Sequence, residues 1–533
     1  MKWPVYPILI GVFPVLASFV QNQFELDWSD TIRPLLICSF LAATAYSVSY
    51  VVSRQRDTAG IISLFILGML FTYPFDITKS VIPVMRQRYF MPLWFGFCIA
   101  AYLLAARMLR QRHGVERTTP FLNCFALILC SMQCVQGFTT VAKHTPTEVK
   151  VHQPLPAVTD DASTSTHTNA VPQTKSALPD IYMLVPDAYA REDVLNTRFA
   201  FDNSQFIQEL RDAGFVVADR SHSNYCWTHL SLSSTLNLDY LQELLPPNFD
   251  ADAPSDERER VQYFVGRLGR DYIQSNRVRS TLESLGYKWR WRGSGYAVTR
   301  QIDRSFKRLI LGPMSQFEKL LLSTTFLSPT THYLAALNPN SASMKGDWIK
   351  SNLAEFGMPP DGTEPTFTFC HIVSPHTPFC FDETGDNVPR NLTFRGPLEH
   401  RQQIPGYLDY YRENYPKNVA GLNAHLTQCI QTLLDRTNGE AVIIVLSDHG
   451  SSLGLYEHDM SKTDLLERFG VLNAVYLPKQ YSRKGLSESR SSVNTFRVIM
   501  SRVFGFNLPQ LKNVAWFSSG DLNFSDVTLK ITP

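Results

Sequence analysis

The 533-residue chain is poor in several features that would narrow its role at once. It has no charge imbalance: 50 Lys and Arg face 48 Asp and Glu, a net charge of +2, so no basic field calls for nucleic acid. It has no evident internal repeat. Beyond residue 145 it has no apolar run long enough to cross a bilayer. Cysteine is sparse, with nine in all. Cys38, Cys98, Cys124, Cys130 and Cys134 lie in apolar runs, where a thiol serves as a small apolar side chain. Of Cys226, Cys370, Cys380 and Cys429, the pair Cys370 and Cys380 is closest in sequence, and an oxidising compartment would permit a bridge there. No small-residue cleavage pattern follows the first apolar run, so a removable signal peptide is not expected.

What is present is strongly asymmetric. Residues 1–144 hold nearly all the long apolar runs, and five candidate spans can be drawn: Pro4–Val20, Pro34–Val52, Gly60–Ile77, Met91–Ala106 and Pro120–Val141. Each approaches the ~20 residues needed to cross hydrocarbon. Asn123, Gln133 and Gln136 interrupt the fifth. Arg54 and Arg56 follow span two, and Arg107, Arg110, Arg112 and Arg117 follow span four, which reads as cytoplasmic. The loop after span one carries Glu25, Asp27 and Asp30, with no cation before Arg33. Lys79, Arg86 and Arg88 after span three run the other way. The sum favours a cytoplasmic N-terminus, and five spans then place everything after residue 145 outside the cytoplasmic membrane, in the periplasm or its equivalent.

Residues 145–178 are rich in Thr, Ser and Pro and read as a disordered tether. From residue 179 to 533 strands and helices alternate. Ile181–Val185, Thr366–Val373 and Ala441–Leu446 read as buried strands, with a further short apolar run at Phe215–Ala218. Ser204–Ala213, Arg277–Leu285 and Asn418–Leu434 read as amphipathic helices. This alternation predicts a doubly wound α/β domain, in which ligands sit beyond the C-terminal ends of the strands.

Those ends carry chemistry. Asp187 follows the first strand, and Ser447-Asp448-His449-Gly450 follows the last. Two carboxylates and an imidazole in one crevice form a half-shell for a divalent cation, although Asp187 alone fits a helix cap and Asp-His-Gly alone a turn. Thr228 opens a hydroxyl-rich segment that enters a helix, where the N-terminal field suits anionic esters and a bound cation would activate the hydroxyl. As a plain N-cap it would have no such role. His371 lies at the end of the middle strand and His376 just beyond it, where they suit an ester oxygen, a leaving group or a second metal. His458 is a further candidate.

At these residues the chain resembles the alkaline phosphatase/sulfatase superfamily. The likeness rests on DIYMLVPDAYA, SNYCWTHLSLSSTLNLDYL, HIVSPHTPF, VLSDHGSSLG and SVNTFRVIMSRVFGFNLPQL and covers roughly residues 179–518. It is nearest to membrane-anchored sulfatase-like proteins such as lipoteichoic acid synthases and the phosphoethanolamine transferases that modify lipid A. The resemblance implies a five-span anchor and an external catalytic domain. It implies Asp187, Thr228, Asp448 and His449 as metal ligands, Thr228 as the transiently phosphorylated nucleophile, and His376, with His458 at a looser spacing, as substrate-facing groups; His371 joins them as a substrate-binding candidate from its place at the strand end alone. Zn²⁺, Mn²⁺ and Mg²⁺ all accept such a set, with Zn²⁺ or Mn²⁺ favoured. Cys226 is not followed by the x-Pro-x-Arg of formylglycine sulfatases, so conventional sulfatase action is disfavoured. Asp stands where the transferases commonly have Glu, and one full ligand set points to a single metal. The expected function is transfer of a phosphoethanolamine- or phosphoglycerol-type headgroup from a membrane lipid to an envelope glycan or lipid. The alternatives are a phosphoester or sulfate-ester hydrolase using the same residues, and a non-catalytic membrane scaffold.

Overall fold

The computed structural model describes residues 3–22, 26, 28–71, 93, 96, 97, 99, 100, 102, 118–143, 153–156, 178–251, 253–294, 296–299, 314–325 and 340–531, less 359, 361, 390, 392, 395, 396 and 487–489. The chain divides into two compact units: Met1–Thr145 with Ile302–Asn338, and Pro146–Gln301 with Pro339–Pro533.

The N-terminal stretch of the first unit contributes α1 (Tyr6–Gln21), α2 (Ile32–Ser53), α3 (Arg56–Leu70) and α4 (Thr118–Lys143). They match expected spans one, two, three and five. Among the described residues, α2 with the turn before it and α4 are long and apolar enough to cross a membrane, and α1 is a shorter apolar helix. The fourth span, Met91–Ala106, and the end of the third fall almost wholly outside those residues. Phe40 and Phe121 project from α2 and α4 at 71% and 68% exposure, surfaces that suit lipid better than water.

Small residues bring these helices together: a Cβ on Gly11 would lie 2.8 Å from that of Ala42. Asn123 does not interrupt α4. Its Oδ1 accepts from the backbone N–H groups of Val5 (2.9 Å) and Tyr6 (3.0 Å), and its Nδ2 donates to the Trp3 carbonyl, capping α1. Farther along, the Cys130 thiol meets the Leu9 carbonyl and Gly137 lies beside Val20, so α1 and α4 run parallel. Gly60 lies against Tyr6 and Arg56 stacks over Trp3, so α3 starts at that same end.

The second unit is built on a six-stranded sheet of β1 (Ile181–Pro186), β2 (Val216–Val217), β3 (Lys288–Arg292), β4 (Thr366–Ile372), β5 (Val442–Leu446) and β6 (Asn473–Tyr476), in the order β2-β6-β5-β1-β4-β3. β3, β4, β1 and β5 are parallel, while β6 is antiparallel to both neighbours. Strand alternation feeds two cores. Tyr182, Leu184, Ile443 and Val445 face one side, covered by α6 (Asn340–Phe356) and α7 (Tyr407–Arg436). Ile181, Met183, Ile444 and Leu446 face the other, covered by α5 (Thr228–Asn237) and α8 (Ser492–Phe504). The sheet is therefore doubly wound but mixed.

α7 begins well before the expected Asn418, with Pro416 inside it. Buried Tyr407, Tyr411 and Tyr415 extend its apolar stripe by about three turns, and their burial outweighs the hydrogen bond that the proline removes. Of the expected tether, residues 153–156 are described: Leu155 packs on the second core and its N–H donates to Thr281 Oγ1 at 3.0 Å, so this stretch is not free chain. Cys370 and Cys380 are both free and buried, and do not form the bridge that sequence proximity allowed.

Candidate metal centre

Three neighbouring parallel strands deliver the site. Val185 pairs with His371 and Pro186 with Ile372 across β1 and β4, while Leu184 pairs with Val445 on β5. Asp187 thus emerges next to His371, and Asp448 emerges from β5 on the other side. The side chains of all three are buried, and one ligand atom from each lies within 4.8 Å of the others. His371 Nε2 is 3.6 Å from Asp187 Oδ2, and His449 Nε2 is 3.6 Å from Asp187 Oδ1 and 3.5 Å from Asp448 Oδ2. Donors at about 2.0–2.2 Å around a tetrahedral ion would be about 3.3–3.6 Å apart, which is the spacing of these pairs.

The remaining valences are filled so as to leave ligand atoms free. Asp448 Oδ1 accepts from the N–H groups of Ala188 (3.1 Å) and His449 (3.0 Å), leaving Oδ2 without a partner. His371 Nδ1 lies 2.6 Å from Thr299 Oγ1 and 3.0 Å from Ser294 Oγ, leaving Nε2 without one. Asp187 Oδ1 is a third orphan. His449 Nδ1 lies 2.9 Å from the Gly450 carbonyl, which only accepts, so Nδ1 carries the proton and Nε2 presents its lone pair. Buried polar atoms without partners are costly, and here they converge. A divalent cation fits this donor set.

The electrostatics agree. Burial and the facing Asp448 raise the Asp187 carboxyl well above its ordinary range. Burial pushes Asp448 up too, but His449, His371 and the Thr228 hydroxyl hold it below its ordinary value. Burial pushes His371 to about 4, and burial with the Arg468 cation pushes His449 to about 4. Both imidazoles are neutral at pH 7, as ligation requires.

Thr228 is the first residue of α5 and makes no capping bond; its Oγ1 lies 3.2 Å from His449 Nε2. Asp187 caps nothing either, because the next helix starts at Glu192 behind Arg191.

The chain is similar in structure to phosphoethanolamine transferases. One is the zinc-bound C-terminal periplasmic domain of EcEptC from Escherichia coli, at TM-score 0.37 and 11% identity over 66% of this chain and 92% of that one. Another is the integral membrane protein lipooligosaccharide phosphoethanolamine transferase A from Neisseria meningitidis, at TM-score 0.32 and 11% identity over 96% and 97%. It is also similar to the phosphonate monoester hydrolase of Agrobacterium radiobacter, at TM-score 0.38 and 12% identity over 64% and 80%. No family model and no curated protein matches the chain.

The three histidines lie in different surroundings. His371, for which an ester oxygen, a leaving group or a metal was expected, points its Nε2 at the carboxylates. His376 is half-buried beside them: its N–H donates to the Asp187 carbonyl (3.0 Å), and its Nδ1 donates to that of Thr377 (2.6 Å). Burial, Lys345 and His449 push it to about 3. His458 is not among the buried ligand atoms. It is 45% exposed and pairs with Glu257 (2.9 Å) and Glu399 (3.5 Å), which draw it toward the surface.

Several residues that build the site had not been singled out. Lys345 Nζ donates to the carbonyls of His376 (2.8 Å) and Pro378 (2.7 Å), fixing that loop. Arg468, fully buried, donates to the Cys226 carbonyl ahead of Thr228, to the Gly450 carbonyl (3.1 Å) and to Ser452 Oγ (2.8 Å). It thereby ties the nucleophile loop to the Asp448–His449 loop. Glu467, beside it, accepts from the N–H groups of Leu453 (2.8 Å) and Gly454 (2.9 Å). The signal available in sequence was a Glu-Arg pair set inside the apolar run from Leu465 to Leu472.

Proposed function

We propose that the protein is a membrane-anchored, metal-dependent transferase. It moves a phosphoryl-linked headgroup, of phosphoethanolamine or phosphoglycerol type, from a phospholipid to an envelope glycan or lipid through phospho-Thr228. The observation that supports this best is the convergence of three orphaned ligand atoms, on Asp187, His371 and Asp448, beside a hydroxyl that opens a helix.

Asp187, Asp448, His371 and His449 would hold one divalent ion, Zn²⁺ or Mn²⁺ in preference to Mg²⁺, with Thr228 as a further ligand. When bound, it would lower the pKa of the Thr228 hydroxyl and neutralise charge on the phosphoryl oxygens. Thr228 Oγ1 forms the new bond to phosphorus. The bond from phosphorus to the diacylglycerol oxygen breaks, and that oxygen takes up the proton the hydroxyl gives up. The N–H groups at the start of α5 face the anionic phosphoryl group. His376, held neutral with Nε2 as an acceptor, is assigned to the departing and incoming alcohols. An acceptor hydroxyl then attacks phospho-Thr228, its proton returning to Thr228 Oγ1.

The helix directions support an external active site. α1, α3 and α4 start at one end, where Arg54 and Arg56 stand, and α4 leads away from it. With cationic loops inside, the second unit lies outside the cytoplasmic membrane.

The test is mass spectrometry of the protein after incubation with phosphatidylethanolamine or phosphatidylglycerol vesicles. The reading expects a headgroup-phosphate adduct on the Thr228 peptide, and neither adduct nor turnover in Thr228→Ala. Full turnover in that variant contradicts it. Product analysis with and without a glycolipid acceptor separates transfer from hydrolysis.

A further inference from the structure

The helix Gln316–Ser323 interrupts the second unit in sequence yet belongs to the first in space. It is a well-made element. Ser315 Oγ accepts from the Glu318 N–H at 3.1 Å, and the Glu318 carboxylate accepts from the Ser315 N–H at 2.6 Å. Phe317 and Leu321, on one face, are buried against Val15 and Phe19 of α1 and against Leu26, Leu35 and Cys38 around the start of α2. The Glu318 carboxylate takes the Arg33 guanidinium through both oxygens, across 285 residues of sequence. The two side chains are only 12% and 19% exposed, the two-pronged, sheltered geometry in which an ion pair counts. The seat is the end of the bundle opposite the Asn123 cap.

Both flanks of this segment hold the candidate metal centre. Thr299, just before it, contacts His371, and Lys345, just after it, grips the His376 loop.

We propose that the helix Gln316–Ser323 is a strap: its seat on α1 and α2 is a second attachment of the C-terminal part of the chain to the membrane unit, independent of the 145–178 linker. A protein held only by its linker would come apart when that linker is cut. This one is expected to stay together through the seat of Phe317, Leu321 and Glu318 on α1 and α2.

The experiment uses the full chain in detergent, with an N-terminal affinity tag and a protease site inserted between residues 157 and 177. After complete cleavage and dilution, the C-terminal fragment should still co-purify with the tagged fragment. Arg33→Glu should lower the retained fraction at least tenfold, and Arg33→Glu with Glu318→Arg should restore it, which separates loss of the seat from misfolding. Release of the fragment from the otherwise unaltered protein overturns the proposal. So does equal retention in Phe317→Asp/Leu321→Asp. Neither readout depends on catalysis, so the strap and the transferase reading fail separately.

Discussion

Replacing Arg468 with Gln probes how the two halves of the site are kept in register. The guanidinium is buried and reaches the Cys226 carbonyl on one loop and the Gly450 carbonyl and Ser452 hydroxyl on the other. Gln is too short and has too few donors to span both. One or both buried carbonyls then lose their partner, at about 1–3 kcal/mol each, so a total of about 1–6 kcal/mol is expected. For a unit of this size that is a fall of roughly 1–8 °C in Tm. The loops carrying Thr228 and Asp448–His449 also lose their common reference, and groups that orient metal ligands are typically worth about 10–100-fold in metal affinity. The assay is a thermal melt of the detergent-solubilised protein beside a competition titration with a chelating dye. Arg468→Lys, which keeps the charge without the fork, should fall between wild type and Gln. If Arg468→Gln melts within a degree of wild type and binds metal equally well, the clamp is not what holds these loops.

The histidines separate in a metal-content comparison. His371→Ala should lose bound metal, because its Nε2 points at Asp187, whereas His458→Ala should keep it, because its partners are Glu257 and Glu399. The reverse pattern would contradict the assignment of His371 to the metal. Stability of metal-free protein should also depend on pH. His229, His371 and His449 are pushed from 6.5 to about 4 in the folded state by burial first of all. Between those values the unfolded chain binds more protons, so stability rises with pH through that window and is lost as pH falls through it. A flat Tm from pH 6.5 to 4 would contradict the buried, neutral state of these rings.

How much of this was legible depended on distance along the chain. β1 and β5 are short continuous apolar runs, and an acid directly after each could be read as a crevice ligand, so Asp187, Asp448 and His449 were accessible. Thr228 was accessible because a hydroxyl-rich stretch leads into an apolar helix. His371 could be placed at the end of β4 from its apolar pattern, but the hydroxyls that orient it, on Ser294 and Thr299, come from a loop over seventy residues earlier. Arg468 acts on a carbonyl 242 residues away, which no local pattern encodes. The antiparallel direction of β6 follows from chain reversal through the Glu467–Arg468 segment, not from its apolar pattern. Asn123 looked like a flaw in a span because its role, capping α1, lies in another helix. Likewise, nothing in the apolar spacing of Phe317 and Leu321 says that the surface they cover is α1 and α2.

The central claim is that the strand-end acids and histidines hold a catalytic cation. Elemental analysis of purified protein, wild type beside Asp448→Asn, tests it most directly. The account predicts about one divalent ion per chain in the wild type and its loss in the variant, whose carboxamide replaces the unpartnered Oδ2 and its charge. No metal in either protein, after loading with Zn²⁺ or Mn²⁺, would mean that these acids serve only the fold.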